Sequence, residues 1–155
     1  MLKKLEHVTI EKFERELGGG ISQTSKMLAR ACDGDFCVEV HEGYTRYAPS
    51  PSGKMTTVED ATYGVLIFDH GFFVADLNLA SYTPVSRVSS SLAYIRGQGY
   101  VRRAVKLLLA GGFIKEWVSF PGISEDAKNM YLSLAKDSYL QVSFDGKSYH
   151  VKLKR

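Results

Sequence analysis

Apolar positions in the first part of the chain recur at helical intervals. Ile10, Phe13 and Leu17 fall at i, i+3 and i+7 within Thr9–Leu17, where Thr9 can cap and Gly18-Gly19-Gly20 can stop a helix. A second helix is expected from about Thr24 to Cys32, burying Met27, Leu28 and Ala31. The period then changes. Phe36, Val38 and Val40 alternate with polar neighbours, which predicts a strand over Phe36–His41. Gly43–Asp60 holds Pro49, Pro51, Gly53 and several Ser and Thr residues, and reads as a long irregular loop with Tyr44, Arg46 and Tyr47 near its start. Such a loop is either an acceptor-binding element or an ordinary exposed excursion.

The pattern sharpens from Tyr63 onward. Tyr63–Phe68 and Phe72–Tyr82 read as strands joined through Asp69-His70-Gly71, and Val85–Tyr94 as a third. After Arg96-Gly97-Gln98-Gly99 comes an amphipathic helix with Val101, Ala104, Val105, Leu108 and Leu109 on one face, closed by Gly111-Gly112. Phe113–Phe120 is the next strand, with Pro121-Gly122 as the turn after it. Ser124 caps a further helix with acidic Glu125 and Asp126 in its first turn and Ala127, Met130, Tyr131 and Leu134 on its buried face. Two closing strands, Tyr139–Phe144 and Ser148–Leu153, flank Asp145-Gly146, a hairpin signal. Lys152, Lys154 and Arg155 alternate there as an exposed edge would. The expected architecture is a single α/β domain: a mixed central sheet flanked by helices, ending in a β-hairpin.

Composition narrows the classes without naming one. At 155 residues, 45% hydrophobic and 24% charged, the chain suits one globular domain with a real core. No apolar run reaches the roughly 18 residues of a membrane-spanning helix, and the start has no signal-like stretch, so a cytoplasmic, membrane-free protein is expected. Cys32 and Cys37 have no matching His or Cys pair, which argues against a metal site and favours two buried thiols over a redox pair. A net charge of +3 favours an anionic ligand but is not the footprint of a dedicated nucleic-acid binder.

Arg96-Gly97-Gln98-Gly99-Tyr100 lies between a strand and the first turn of a helix. Glycines there allow close backbone approach, the helix start offers free N–H groups, and Arg96 adds a cation. A pyrophosphate is the natural guest. The segment lacks the Lys-Ser/Thr pair of a Walker A loop and is not a full dinucleotide fingerprint.

Arg96-Gly97-Gln98-Gly99-Tyr100-Val101 resembles the Arg/Gln-x-x-Gly-x-Gly/Ala motif of the GNAT superfamily of N-acetyltransferases. Downstream, Ala127-Lys128-Asn129-Met130-Tyr131-Leu132-Ser133-Leu134 resembles the Ala-x-x-hydrophobic-Tyr-x-x-Leu helix of the same family. The resemblance spans about Tyr63–Arg155, leaving the first 60 residues as variable acceptor-side helices and loop. It implies acetyl-CoA as co-substrate and a small-molecule or protein amine as acceptor. It further implies that Gln98, Gly99, Tyr100 and Val101 give backbone N–H groups to the pyrophosphate, with Arg96 and Gly97 shaping the approach. Leu92, Ala93 and Tyr94 would pair with the pantetheine arm, and Tyr131 would protonate the departing thiolate.

Some positions depart from the family pattern. Val101 stands where Gly or Ala is usual, and Ala135 and Lys136 replace the usual Gly and aromatic residue. Val85–Tyr94 carries no carboxylate for a general base, so Asp76, Asp69, His70, His41 and Glu39 are the remaining candidates. Without the family, Tyr131 and Trp117 read as core residues, His70 as a solvated turn residue, and Arg102, Arg103 and Lys106 as a solvated helix face. Three functions follow: an N-acyltransferase; a catalytically inactive scaffold of the same shape that serves as a binding or structural module; and, against the modest charge, a small nucleic-acid-binding protein using Arg102, Arg103, Lys106 and the Tyr44–Tyr47 loop.

Overall fold

A computed structural model describes residues 10–18, 21–93 and 99–154. Among the described residues, nine strands form one sheet and two helices pack on it. The strands are β1 (Ile10–Gly18), β2 (Ile21–Asp33), β3 (Phe36–Pro49), β4 (Met55–Asp69), β5 (Phe72–Ser81) and β6 (Val85–Ala93). Helix α1 (Tyr100–Ala110), β7 (Glu116–Val118), α2 (Glu125–Leu134), β8 (Leu140–Phe144) and β9 (Tyr149–Leu153) follow. The spatial order is β1-β2-β3-β4-β5-β6-β7-β9-β8. Neighbours are antiparallel except β6 and β7, which run parallel with α1 as their crossover. The mixed sheet, flanking helices and terminal hairpin expected from the sequence are all present.

The N-terminal third departs from the expected helices. Residues 10–18 and 21–33 are β1 and β2, an antiparallel hairpin in which Gly18 pairs with Ile21. Irregularities between Ile10 and Phe13 and between Glu16 and Gly18 interrupt the strict alternation of β1. Those between Thr24 and Lys26 and between Met27 and Ala29 do the same in β2. Each bulge adds a residue to the period of two, so a bulged strand imitates helical spacing. The expected loop over 43–60 is likewise strand: β3 continues to Pro49, a tight turn follows, and β4 begins at Met55.

One face of the sheet carries the apolar core. Val38, Val40, Val65, Ile67, Leu77 and Leu79 form one cluster there with Ala104, Val105, Leu108 and Leu109 of α1, Trp117 of β7 and Tyr131 of α2. α1 buries its apolar stripe as its periodicity requires, and Ser124 Oγ accepts from the Ala127 N–H at the start of α2. β9 lies inside the sheet between β7 and β8, so β8, not the lysine-bearing last strand, forms the edge. Cys32 and Cys37 face each other across the β2–β3 turn and are joined by a disulfide, which replaces the free-thiol reading.

The first five strands curl. β1 comes back close to β5 although β2, β3 and β4 lie between them in the sheet. The face of β2–β5 turned away from the helices is thereby enclosed, and it is polar.

Candidate functional site

Two regions carry chemistry. The first is the junction of β6 with α1. β6 pairs with β7 only over its first three residues, Val85 with Glu116 through Arg87 with Val118. On its other side β6 stays paired with β5 as far as Ala93 opposite Ala75. From Val88 to Ala93, one backbone edge of β6 therefore has no strand partner among the described residues. Loop contacts fix the start of the pair: the Lys115 N–H donates to the Pro84 carbonyl at 2.8 Å, and Thr83 Oγ1 donates to the Phe113 carbonyl. The two parallel strands are thus tied at one end only.

Six residues separate the end of β6 at Ala93 from the start of α1 at Tyr100. Gly99 is its N-cap with φ of 70°, a conformation that suits glycine, and no side chain caps the helix. The first intrahelical bond runs from the Arg103 N–H to the Gly99 carbonyl, so the N–H groups of Tyr100, Val101 and Arg102 precede the helical ladder. The first turn holds no acidic residue that would compete for them. The Arg102 guanidinium lies beside Gly99 and donates to Ser133 Oγ at 2.9 Å, linking the start of α1 to α2. Positive dipole, N–H groups outside the helical ladder and an adjacent cation are the ingredients from which anion sites are built.

The other sequence candidates are distributed around this junction. Leu92 and Ala93 end β6, opposite Asp76 and Ala75. Gly99, Tyr100 and Val101 open α1. Tyr94, Arg96, Gly97 and Gln98 lie outside the described residues. Tyr100 is held in place: its hydroxyl donates to Asp69 Oδ2 at 3.0 Å and its ring stacks on Phe36. Desolvation, with the acceptor carboxylate second, raises the Tyr100 pKa, and the same hydrogen bond lowers that of Asp69. Tyr131 is buried at 3% exposure, stacked on Tyr149, with its hydroxyl accepting from Trp117 Nε1 at 2.9 Å. Burial pushes it up to about 12, so it keeps its proton.

The basic face of α1 is engaged with the protein. Arg103 sits 4.0 Å over the Phe36 ring, and Lys106 pairs with Asp137. His70, in the β4–β5 turn, is exposed and pairs with Asp35 and Asp69.

The second region is the enclosed polar face of β2–β5. Glu39 and His41 share this face. Gly43, with φ of 64°, lies before Tyr44 and Arg46, which come round to the same side. Tyr44 Oη donates to Asp76 Oδ2 at 2.8 Å, and Arg46 Nη1 reaches the same oxygen at 3.1 Å. The Tyr44 ring lies flat over Gly64, where a Cβ would stand only 2.5 Å from Cδ2. A chain of shorter contacts runs alongside: Gln23 Nε2 to Ser25 Oγ, Ser25 Oγ to His41 Nδ1 at 2.6 Å, and His41 Nε2 to Glu39 Oε1 at 2.8 Å. Of the proposed bases, Asp76, His41 and Glu39 thus gather here, while Asp69 and His70 stay at the β4–β5 turn. Sequence reading missed Gln23, Ser25, Tyr44 and Arg46 as partners. The alternation of Gln23 with Ser25 and of Glu39 with His41 is the signal that could have found the face.

No family model and no curated protein matches the sequence. A solved acetyltransferase from Salmonella typhimurium, which modifies the N-terminal serine of the 50S ribosomal subunit protein L7/L12, is similar in part. It is 14% identical with a TM-score of 0.38, and the match spans 59% of this chain and 62% of that one. Among the described residues, no helix is long and apolar enough to cross a membrane. So partial a likeness leaves function to be argued from this chain's own residues.

Proposed function

We propose that the chain binds the pyrophosphate of a CoA thioester at the start of α1 and transfers the acyl group to an amine, carried by a small molecule or a protein. The observation that carries this reading is the one-sided end of β6: from Val88 to Ala93 one backbone edge has no strand partner among the described residues, and the next described element is an uncapped, acid-free helix N-terminus. An extended arm with amide groups pairs naturally with such an edge, while its diphosphate end takes the N–H groups of Tyr100, Val101 and Arg102. The motif-level resemblance adds Arg96, Gly97 and Gln98 to the pyrophosphate contacts and Tyr94 to the pantetheine contacts; these four lie outside the described residues.

The chemistry asks little more of the protein. A neutral amine attacks the thioester carbonyl, the C–S bond breaks, and the thiolate takes a proton. Tyr131, whose hydroxyl keeps its proton and accepts from Trp117, is the donor in this reading. Asp76, although opposite Leu92 in register, is 1% exposed and held by Tyr44 and Arg46 on the enclosed face, so the proton lost by the amine passes to water. The inactive-scaffold reading draws on one observation, the burial of Tyr131 at 3% exposure, and differs in binding CoA without turnover.

Thermal denaturation with acetyl-CoA tests the site. At about 100 times its dissociation constant, the ligand should add roughly 2.7 kcal/mol to the native state. Arg102→Glu places an acid at the helix start, which suits the dipole but repels phosphate. The variant should fold and lose the shift. An equal shift in wild type and variant, or none in the wild type at millimolar acetyl-CoA, would contradict the proposal.

A further inference from the structure

The geometry points to a second reactive centre, independent of CoA: Ser25 as a nucleophile toward carboxylic esters, activated by His41 and Glu39. Glu39 is 4% exposed, and its second oxygen, Oε2, lies 4.0 Å from Arg30 Nε. A carboxylate only accepts hydrogen bonds, so at 2.8 Å His41 Nε2 carries the hydrogen. In the neutral imidazole, Nδ1 then holds the lone pair, and Ser25 Oγ at 2.6 Å must donate to it. Gln23 Nε2 in turn donates to Ser25 Oγ at 2.8 Å. Every bond in the chain thus has one direction, and that direction draws the serine proton toward the imidazole. Nucleophile, base and orienting carboxylate in hydrogen-bonded series are recognised by geometry and roles, whichever ring nitrogen faces the serine.

Burial supports the same assignment. His41 and Gln23 are wholly buried and Glu39 nearly so, whereas Ser25 is half-buried, so the serine is the most exposed member of the chain and its base is shielded from water. The bulges of β2 place Ser25 and Met27 on one face: Met27 pairs with His41 while Ser25 reaches the His41 ring from the side.

The reaction balances without a cofactor. Ser25 Oγ bonds to the ester carbonyl carbon as its proton passes to His41 Nδ1. The tetrahedral oxyanion forms beside the Gln23 amide donor. The ester C–O bond then breaks, and the leaving alkoxide takes the proton from His41, giving an alcohol and an acyl-Ser25. Water attacks that ester by the same route, regenerating Ser25 and releasing a carboxylic acid. Ser25 and His41 are the catalytic residues, and Glu39 is a positioning residue that holds the His41 tautomer.

The test uses the full chain with p-nitrophenyl acetate, and separately with phenylmethylsulfonyl fluoride. Expected are release of p-nitrophenolate above buffer and a single sulfonyl adduct that peptide mass spectrometry places on Ser25. Ser25→Ala should abolish both while keeping the near-ultraviolet circular dichroism of the native fold. His41→Gln should slow acylation about 100-fold, the usual share of a general base. Should that variant unfold, Ser25→Cys serves instead, since its alkylation by iodoacetamide reads the same base. Glu39→Gln should slow acylation with the native spectrum retained, and Glu39→Asp should restore part of the rate. No adduct on Ser25 in natively folded wild type, or equal hydrolysis by Ser25→Ala, would overturn the inference. Because acetyl-CoA binding is read at α1, failure here leaves the transferase reading standing, and the converse also holds.

Discussion

The two halves of the sheet solve the same problem differently. β6–β9 bury one face under α1 and α2 with apolar side chains, and their polar atoms are few and locally satisfied, such as Trp117 Nε1 on Tyr131. β2–β5 present an apolar face to α1 as well, but their other face closes over buried polar and charged residues: Glu39, His41, Arg46 and Asp76. Apolar packing is forgiving and non-directional, whereas a buried ion pair is tolerated only when each partner is met by well-placed hydrogen bonds. The N-terminal half therefore holds positions fixed by directional bonds, and the C-terminal half holds a backbone opening fixed by topology. Reactive side chains belong to the first, a cofactor cradle to the second.

The contrast can be broken most severely at Asp76. Asp76→Ala takes the acceptor from both Tyr44 and Arg46, and is expected to cost about 3–5 kcal/mol in denaturant unfolding. Replacing both charges, as Arg46→Met with Asp76→Leu, should recover most of that loss. If the double replacement is as unstable as the single one, directional bonding is not what holds this face. Gly64→Ala comes next. Its Cβ would collide with the rigid Tyr44 ring, costing about 1–3 kcal/mol by the same assay.

In the other half, Tyr131→Phe removes the buried acceptor of Trp117 and should cost about 1–2 kcal/mol, with a change in tryptophan fluorescence. The smallest effect is a pH dependence at the sheet's far end. His150 bonds Glu116 Oε2 and Asp145 Oδ2, and these two acceptors, Glu116 first, raise its pKa. A raised histidine stabilises fully below its unfolded value of about 6.5, and the contribution is lost as pH rises through the folded value. Melting temperature measured from pH 5.5 to 8.5 should fall in that window for the wild type and be flatter for His150→Gln.

How much of this was legible in the sequence divides along the same line. α1 and α2 were readable because their apolar stripes and the Ser124 cap are local signals, and the closing hairpin because Asp145-Gly146 is one. β1 reads as a helix because the irregularity between Ile10 and Phe13 stretches that step to three residues, and the plain four-residue step to Leu17 then completes a helical pattern. Gly18, read as part of a helix stop, is the last residue of β1 and pairs with Ile21. Tyr44 and Arg46 read as loop residues because Pro49, Pro51 and Gly53 mark a turn and β3 carries polar residues inward. Periodicity assumes an apolar interior, and here the interior face is charged. The motif Arg96–Val101 and Tyr131 were visible as residue types, but the one-sided pairing of β6 depends on the shortness of β7, which no local pattern encodes.

The account's central claim is that the unpaired end of β6 and the bare start of α1 form one ligand cradle. Amide hydrogen exchange read by mass spectrometry, with and without saturating acetyl-CoA, tests it most directly. The account predicts new protection over residues 88–103, with the amides of β2 and β3 around Ser25 and His41 unchanged. Protection absent from 88–103, or appearing on β2 and β3 instead, would contradict it.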